Sequence, residues 1–193
     1  MITSKKVYKR YLQEDRHALG MSQLSLLQRL RLLFVPNYIY SFQKLMRKVE
    51  YVGNTRTTIW GHLRYYFLRL RYKRLSLRLG FTIPENVFGP GLSIAHYGTI
   101  IINQKARIGK NCRIHACVNI GASGGSSEAP QLGDNIYIAP GAKIYGNIAL
   151  ANNIAIGANA VVNKSFEEEN ILIAGNPAKK IKEIDIKRII KHA

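Results

Sequence analysis

The chain has 193 residues, 47% hydrophobic and 21% charged, which suits one large globular domain or a domain with a smaller cap and excludes a disordered chain. Its two cysteines, Cys112 and Cys117, exclude a disulfide scaffold and fit a reducing compartment. The net charge of +18 is uneven: residues 1–80 carry 17 basic and 3 acidic side chains, and residues 81–193 carry 12 and 8.

Met1 to Arg10 is polar and basic with no apolar run behind it, so no secretory signal is read and a cytoplasmic location is expected. Residues 1–80 are predicted to be a basic helical region. Thr3–Leu19, Leu24–Phe34, Tyr38–Tyr51 and Thr58–Leu79 are rich in Leu, Arg, Lys, Gln and Tyr. Gly20 is expected to end the first helix, and Pro36 and Gly53 to break the others. In the last piece Trp60, Leu63, Phe67 and Leu70 recur at helical spacing among Arg64, Arg69, Arg71, Lys73 and Arg74. Such a helix packs its stripe on its own protein or lies on an anionic membrane. The sequence leaves both open. No apolar run is long enough to span a bilayer.

From Gly80 the pattern changes. Ile108, Ile114, Ile120, Leu132, Ile138, Ile144, Leu150, Ile156 and Val162 stand in one phase of six, interrupted only at Ser126. Phe88, Ile94 and Ile100 share a step of six, and a shift of two residues is placed between Ile100 and Ile108. A second ladder contains Cys112, Val118, Ile136, Ala142, Ile148, Ile154 and Ala160. Gly or Ala often follows the first ladder, as at Gly109, Gly133 and Gly157, where a small residue is expected to let the chain turn a tight corner. Neither the helical nor the strand period gives this pattern. A period of six predicts a solenoid with three short faces and about 18 residues per coil. The expected division is a helical region over 1–80, a β-solenoid over 81–165, and a closing segment with a basic tail over 166–193.

From about Ile83 to Ile181 the chain resembles the hexapeptide-repeat acyltransferases, in their serine acetyltransferase branch. The resemblance rests on Gly91-Leu92-Ser93-Ile94-Ala95-His96-Tyr97-Gly98-Thr99-Ile100, Ile108-Gly109-Lys110-Asn111, Pro130-Gln131-Leu132-Gly133-Asp134-Asn135, Ile156-Gly157-Ala158-Asn159 and Ala174-Gly175-Asn176-Pro177-Ala178-Lys179. It implies a mainly β fold, a left-handed parallel β-helix behind the helical region, and a homotrimer. It also implies acetyl-CoA lying between neighbouring subunits, with no metal.

By the same resemblance His96 falls where the family places its catalytic base; an imidazole can take a hydroxyl proton near neutrality. His115, one coil later, is a candidate acceptor contact. The acid that orients the base in the family corresponds here to Thr82, for which Glu85, Glu14, Asp15 or a backbone carbonyl is the substitute. The family's Asp before the base is Ala95, and its Arg-His pair before the repeat resumes is Glu128-Ala129. Partners for the ammonium and carboxylate of serine are therefore replaced, and unpaired buried charge is costly. Acetyl-CoA contacts carry over to Ala122, Pro140, Gly141 and Ala158, with Lys164, Lys179 and Lys180 available to its phosphates.

The expected function is acetyl-CoA-dependent O-acetyl transfer, foremost to a sugar hydroxyl in surface-polysaccharide biosynthesis. Serine O-acetylation for cysteine synthesis is the alternative. A non-enzymatic scaffold is a third reading, opposed by His96 and the intact Gly-Asn-Pro-Ala-Lys motif. The basic half would suit an anionic acceptor at the inner membrane face, or hold two trimers together. No nucleic-acid motif accompanies the charge.

Overall fold

The computed structural model describes residues 1–193 except 23, 24, 26, 28, 29 and 31–33. The helical stretch expected over Leu24–Phe34 falls largely on those positions and lies outside the described residues. Three helices are described: α1 (Lys5–Ala18), α2 (Tyr38–Thr55) and α3 (Ile59–Leu79). Ser4, Asn37 and Thr58 cap their N-termini, each side chain accepting a backbone N–H. Gly53 does not break α2, which runs on to Thr55. Packing outweighs glycine's small helical penalty here: the ring of Tyr65 and the Glu85 carboxylate crowd the place where a Cβ would stand. Gly20 and Gly80 follow α1 and α3 at φ +68° and +78°, the left-handed region glycine enters without strain.

The rest is a left-handed parallel β-helix. Its first sheet has the order β1 (Phe81–Thr82), β3 (Ile100–Ile102), β6 (Val118–Gly121), β9 (Lys143–Tyr145), β12 (Val161–Val162). The second has β4 (Arg107–Ile108), β7 (Gln131–Leu132) and β10 (Ala149–Leu150). The third has β2 (Ser93–Ile94), β5 (Arg113–Ile114), β8 (Tyr137–Ile138), β11 (Ala155–Ile156) and β13 (Ile171–Gly175). Against β13 folds β14 (Ala178–Glu183), antiparallel, with Asn176-Pro177 between them. Both aliphatic ladders point inward: Ile114, Ile120, Ile138, Ile144, Ile156 and Val162, and Cys112, Val118, Ile136, Ala142, Ile154 and Ala160, are all buried.

The register moves the two-residue shift. Ile94 pairs with Ile114, and Ile102, not Ile100, pairs with Ile120. Ile100 pairs with Val118, in the second ladder. The two extra residues therefore lie between Ile94 and Ile102, at the first corner joining the third sheet to the first. A step of six through Ile100 hid them, because Ile100 and Ile102 are both buried aliphatics and composition cannot tell them apart.

The small residues after the first ladder are required by bulk and not by backbone conformation. Gly109, Gly133 and Gly157 do not adopt positive φ. A Cβ on Gly109 would lie 2.2 Å from Asp134 Oδ1 and 2.6 Å from the Gly133 carbonyl oxygen, so glycine serves the close approach of successive coils. The left-handed turns at one corner belong to Asn111, Asn135 and Asn153. Asn111 donates to Asn135 Oδ1 (2.9 Å) and Asn135 to Asn153 Oδ1 (2.8 Å), a side-chain ladder along the solenoid.

Helices and solenoid share one core. Phe42 packs on Tyr72 and Phe81, and Tyr72 Oη donates to the Ile83 carbonyl at 2.6 Å. Beneath them lies a buried ionic cluster. Arg47 donates to Asp15 (2.8 Å), Glu50 (3.1 Å) and the carbonyls of Phe88 and Gly89, and Asp15 accepts the backbone N–H groups of Gly91 and Leu92 at 2.9 Å. Burial alone would lower Arg47, but the carboxylates of Asp15 and Glu50 hold it above its ordinary value. Three charges thus bind α1, α2 and the opening of the first coil together.

Candidate active site

His96 sits at the enlarged corner, on the stretch 95–99 between β2 and β3. The end of α3 fixes this corner. Gly98 N–H donates to the Leu79 carbonyl (3.2 Å) and Ile100 N–H to the Gly80 carbonyl (3.1 Å). A Cβ on Gly80 would stand 3.2 Å from the Gly98 carbonyl carbon, so glycine at position 80 serves both the left-handed turn and the close contact. The two extra residues push the corner outward, and the His96 ring is exposed.

His115 stands beside it, the ring centroids 5.6 Å apart. The pairing of Ile94 with Ile114 places His115 directly under Ala95, one coil along. Tyr137 from the following coil meets the His115 ring edge-on at 5.3 Å. Burial, then Arg113 and His96, lower the affinity of His115 for a proton below its ordinary value. Sequence spacing brought the two histidines together, but it missed Arg113, which flanks the inward Ile114 of β5 on one side as His115 does on the other. The signal available was the strand alternation around the inward Ile114.

The carboxylates offered as partners for His96 are occupied elsewhere. Asp15 is held by Arg47. Glu85 accepts from Tyr65 Oη at 3.0 Å and pairs with Arg69 at 3.4 Å. Glu14 pairs with Arg10. Thr82, the residue matched by resemblance to an orienting acid, is exposed on β1.

The remaining candidates divide between two corners. Continuing from Ile114–Ile138–Ile156, the corner below His96 carries Ala116, Pro140 and Ala158 in one file. Gly141 N–H donates to the Ala116 carbonyl and Asn159 N–H to the Pro140 carbonyl, which ties the file together. Gly141 has φ +79°, and a Cβ there would be 2.0 Å from Asn159 Oδ1. Lys179 pairs with Ala174 at the far end of the same corner. Ala122 and Lys164 lie instead two residues beyond Ile120 and Val162, at the corner leaving the first sheet. The loop 122–129 springs from that second corner, and its Glu128 pairs with Lys105 at 3.4 Å. Within one chain Glu128, Ala122 and Lys164 therefore do not meet His96.

Comparison with known proteins decides the lineage. The chain is 34% identical to a serine acetyltransferase of Staphylococcus xylosus over 69% of its own length and 66% of the relative's. A solved serine acetyltransferase of Neisseria gonorrhoeae superposes with a TM-score of 0.72 at 22% identity, covering 98% of this chain and 72% of the other. The chain belongs to the serine acetyltransferase-like hexapeptide-repeat family. No family model matches it. It spans 66% or less of the length of these Staphylococcus relatives. Another structure of the same fold, the Brucella abortus serine acetyltransferase in complex with coenzyme A, matches with a TM-score of 0.71 at 24% identity over 94% of this chain and 70% of its own.

Proposed function

We propose that the protein is an acetyl-CoA-dependent O-acetyltransferase in which His96 takes the proton of an acceptor hydroxyl. The observation that carries this reading is the exposed His96 ring on an enlarged corner, beside His115 and at the head of a file of small residues. The hydroxyl oxygen would bond to the thioester carbonyl carbon and the carbon–sulfur bond would break. The proton held on His96 would then pass to the departing thiolate. Ala116 and Ala158 leave room for an extended thioester arm, and Pro140, Gly141 and Lys179 continue the same edge.

The division of candidates between two corners supports a homotrimer. Ala122, Glu128 and Lys164 join the His96 file only if the second corner of one copy faces the first corner of the next. Exposed Tyr97 and Ile101 would be covered there.

Two acceptors divide the support. The relatives' names favour L-serine. Ala95 and Glu128 favour a sugar hydroxyl, since neither a carboxylate before the base nor a cation on the loop is present to hold a zwitterion. The experiment is release of free CoA from acetyl-CoA, with L-serine and with a panel of sugars and oligosaccharides, for wild type and His96→Ala. Loss of roughly 10²–10⁴ in turnover in the variant is the result expected of a general base. Unchanged turnover in His96→Ala would sink the assignment. Efficient turnover with serine and none with sugars would settle the acceptor for the relatives' reading.

The helical half supports contact with an anionic membrane. Trp60, Leu63, Phe67 and Leu70 are exposed on α3 rather than packed inward, and α3 carries no acidic residue. No helix among the described residues is long and apolar enough to cross a membrane.

A further inference from the structure

A cavity of about 500 Å³ lies on the outer side of the third sheet, at the edge formed by β2. Its lining includes His17 at the end of α1, Asn37 ahead of α2, Ala95 just after β2, Arg113 on β5, and Lys191 and His192 from the C-terminal turn. The turn reaches this place because Ile186 and Ile190 bury against Ala155. Ala95 connects the cavity directly to the corner that carries His96.

Among the described residues, every ionisable side chain lining the cavity is a base: His17, Arg113, Lys191 and His192. The carboxylates of α1 do not neutralise them, since Asp15 is bound to Arg47 and Glu14 pairs with Arg10 at 3.6 Å. A second cavity of about 450 Å³ shares His17 and His192 and adds Arg10 and Lys110, with Glu14 its acid. The His17 and His192 rings meet edge-on at 6.4 Å. Gathering like charges this way is unfavourable. Burial, then His17 and Arg113, push His192 below its ordinary value, partly offset by the Gly91 backbone. The ring Nε2 atom of His192 is buried without a hydrogen-bond partner among the described residues. A bound oxyanion would relieve the repulsion and supply the missing partner.

We propose that this cavity is an anion subsite for the acceptor, taking a phosphate-class group such as that of a phosphorylated or diphosphate-linked sugar. Donors converge on it from separate directions: a guanidinium from β5, an ammonium and an imidazole from the tail, an imidazole from α1. A tetrahedral oxyanion accepts from several sides at once, whereas a planar carboxylate is matched by one fork of donors. The volume is in the range of small-ligand sites. The acceptor role rests on the acetyltransferase reading; the binding of the anion does not.

The test is calorimetric titration of the full chain with pyrophosphate, alone and with saturating CoA. Imidazole proton resonances of His17 and His192 are followed in parallel. Wild type is compared with Arg113→Gln, Lys191→Gln and Arg113→Lys. Saturable binding that survives CoA, shifts both imidazoles and weakens about tenfold or more in Arg113→Gln is the expected result. Lys191 is exposed, so its variant keeps the test meaningful should Arg113→Gln fail to fold. A soluble nucleotide-diphosphate sugar and vesicles bearing lipid phosphate then distinguish a soluble from a lipid-linked source. Absence of saturable binding, binding indifferent to both substitutions, or complete displacement by CoA overturns the subsite. Turnover with a neutral sugar in the absence of anion binding overturns the subsite alone. Anion binding without acetyl transfer to any acceptor overturns the acetyltransferase reading and with it the acceptor role.

Discussion

At the scale of single residues, the corner of the solenoid explains what each position tolerates. Gly141 cannot gain a side chain without meeting Asn159, and Gly109 cannot without meeting Asp134. Ala116, one coil from His96, and Ala158, three coils along the same file, keep that corner narrow. His115 has a measurable signature. In the unfolded chain its ring titrates near 6.5, and in the native chain burial, Arg113 and His96 hold it lower. Between the two values the unfolded state binds more protons, so stability falls as pH drops below the unfolded value. His115→Gln is expected to flatten that part of the stability–pH curve. Urea unfolding of both proteins from neutral to mildly acidic pH checks it, and parallel curves would remove His115 from the account.

At the scale of elements, the helices are bound to the solenoid by both apolar packing and buried charge. Phe42, Met46 and Val49 of α2 are buried in the shared core, and Arg47 between them holds Asp15 and Glu50. Glu50 is raised above its ordinary value by burial, with Arg47 and the Asn86 N–H opposing. Removing the cation strands two buried carboxylates. Arg47→Leu is therefore expected to lose about 3–5 kcal/mol of stability, read from the denaturant midpoint at constant slope. Restoring much of that loss by adding Glu50→Gln would show that the stranded charge, not the lost contacts, dominates. α3 presents the opposite case, an apolar stripe left outside. Trp60 is 75% exposed and is the one tryptophan in the chain. Its fluorescence is expected to shift blue with vesicles containing anionic lipid and not with neutral ones, and high salt should weaken the effect. An unchanged spectrum with anionic vesicles would leave the stripe to a protein partner.

At the scale of the whole molecule, the proposed site would need copies to meet. The candidate contacts on two corners of each coil would line a single groove only across a subunit boundary. Sedimentation equilibrium is expected to give about three times the 21.8 kDa chain mass, without dependence on ionic strength. A stable monomer would leave Ala122, Glu128 and Lys164 outside the site. Two trimers joined through α3 would have to bring like-charged surfaces together, so a hexamer of that kind is expected to depend on ionic strength.

The periodic residues determined the solenoid by themselves. An aliphatic side chain every sixth position has one efficient burial, inside a three-faced coil, and Ile114, Ile120, Ile138 and Ile144 occupy it. The order of residues around Ile94 also determined that His96 and His115 lie one coil apart. The location of the extra two residues was not legible, because Ile100 and Ile102 satisfy the same apolar requirement and only strand pairing chooses between them. Nor was the fate of Asp15, an acid far from any solenoid residue in sequence, which the docking of α1 commits to Arg47 and the first coil. The cationic cavity beside Ala95 was hidden for the same reason: His17, Arg113 and His192 come from three distant segments, and only packing brings them to one place. Local pattern encodes what each coil buries, whereas the partners of a charge depend on which surfaces the chain folds against each other.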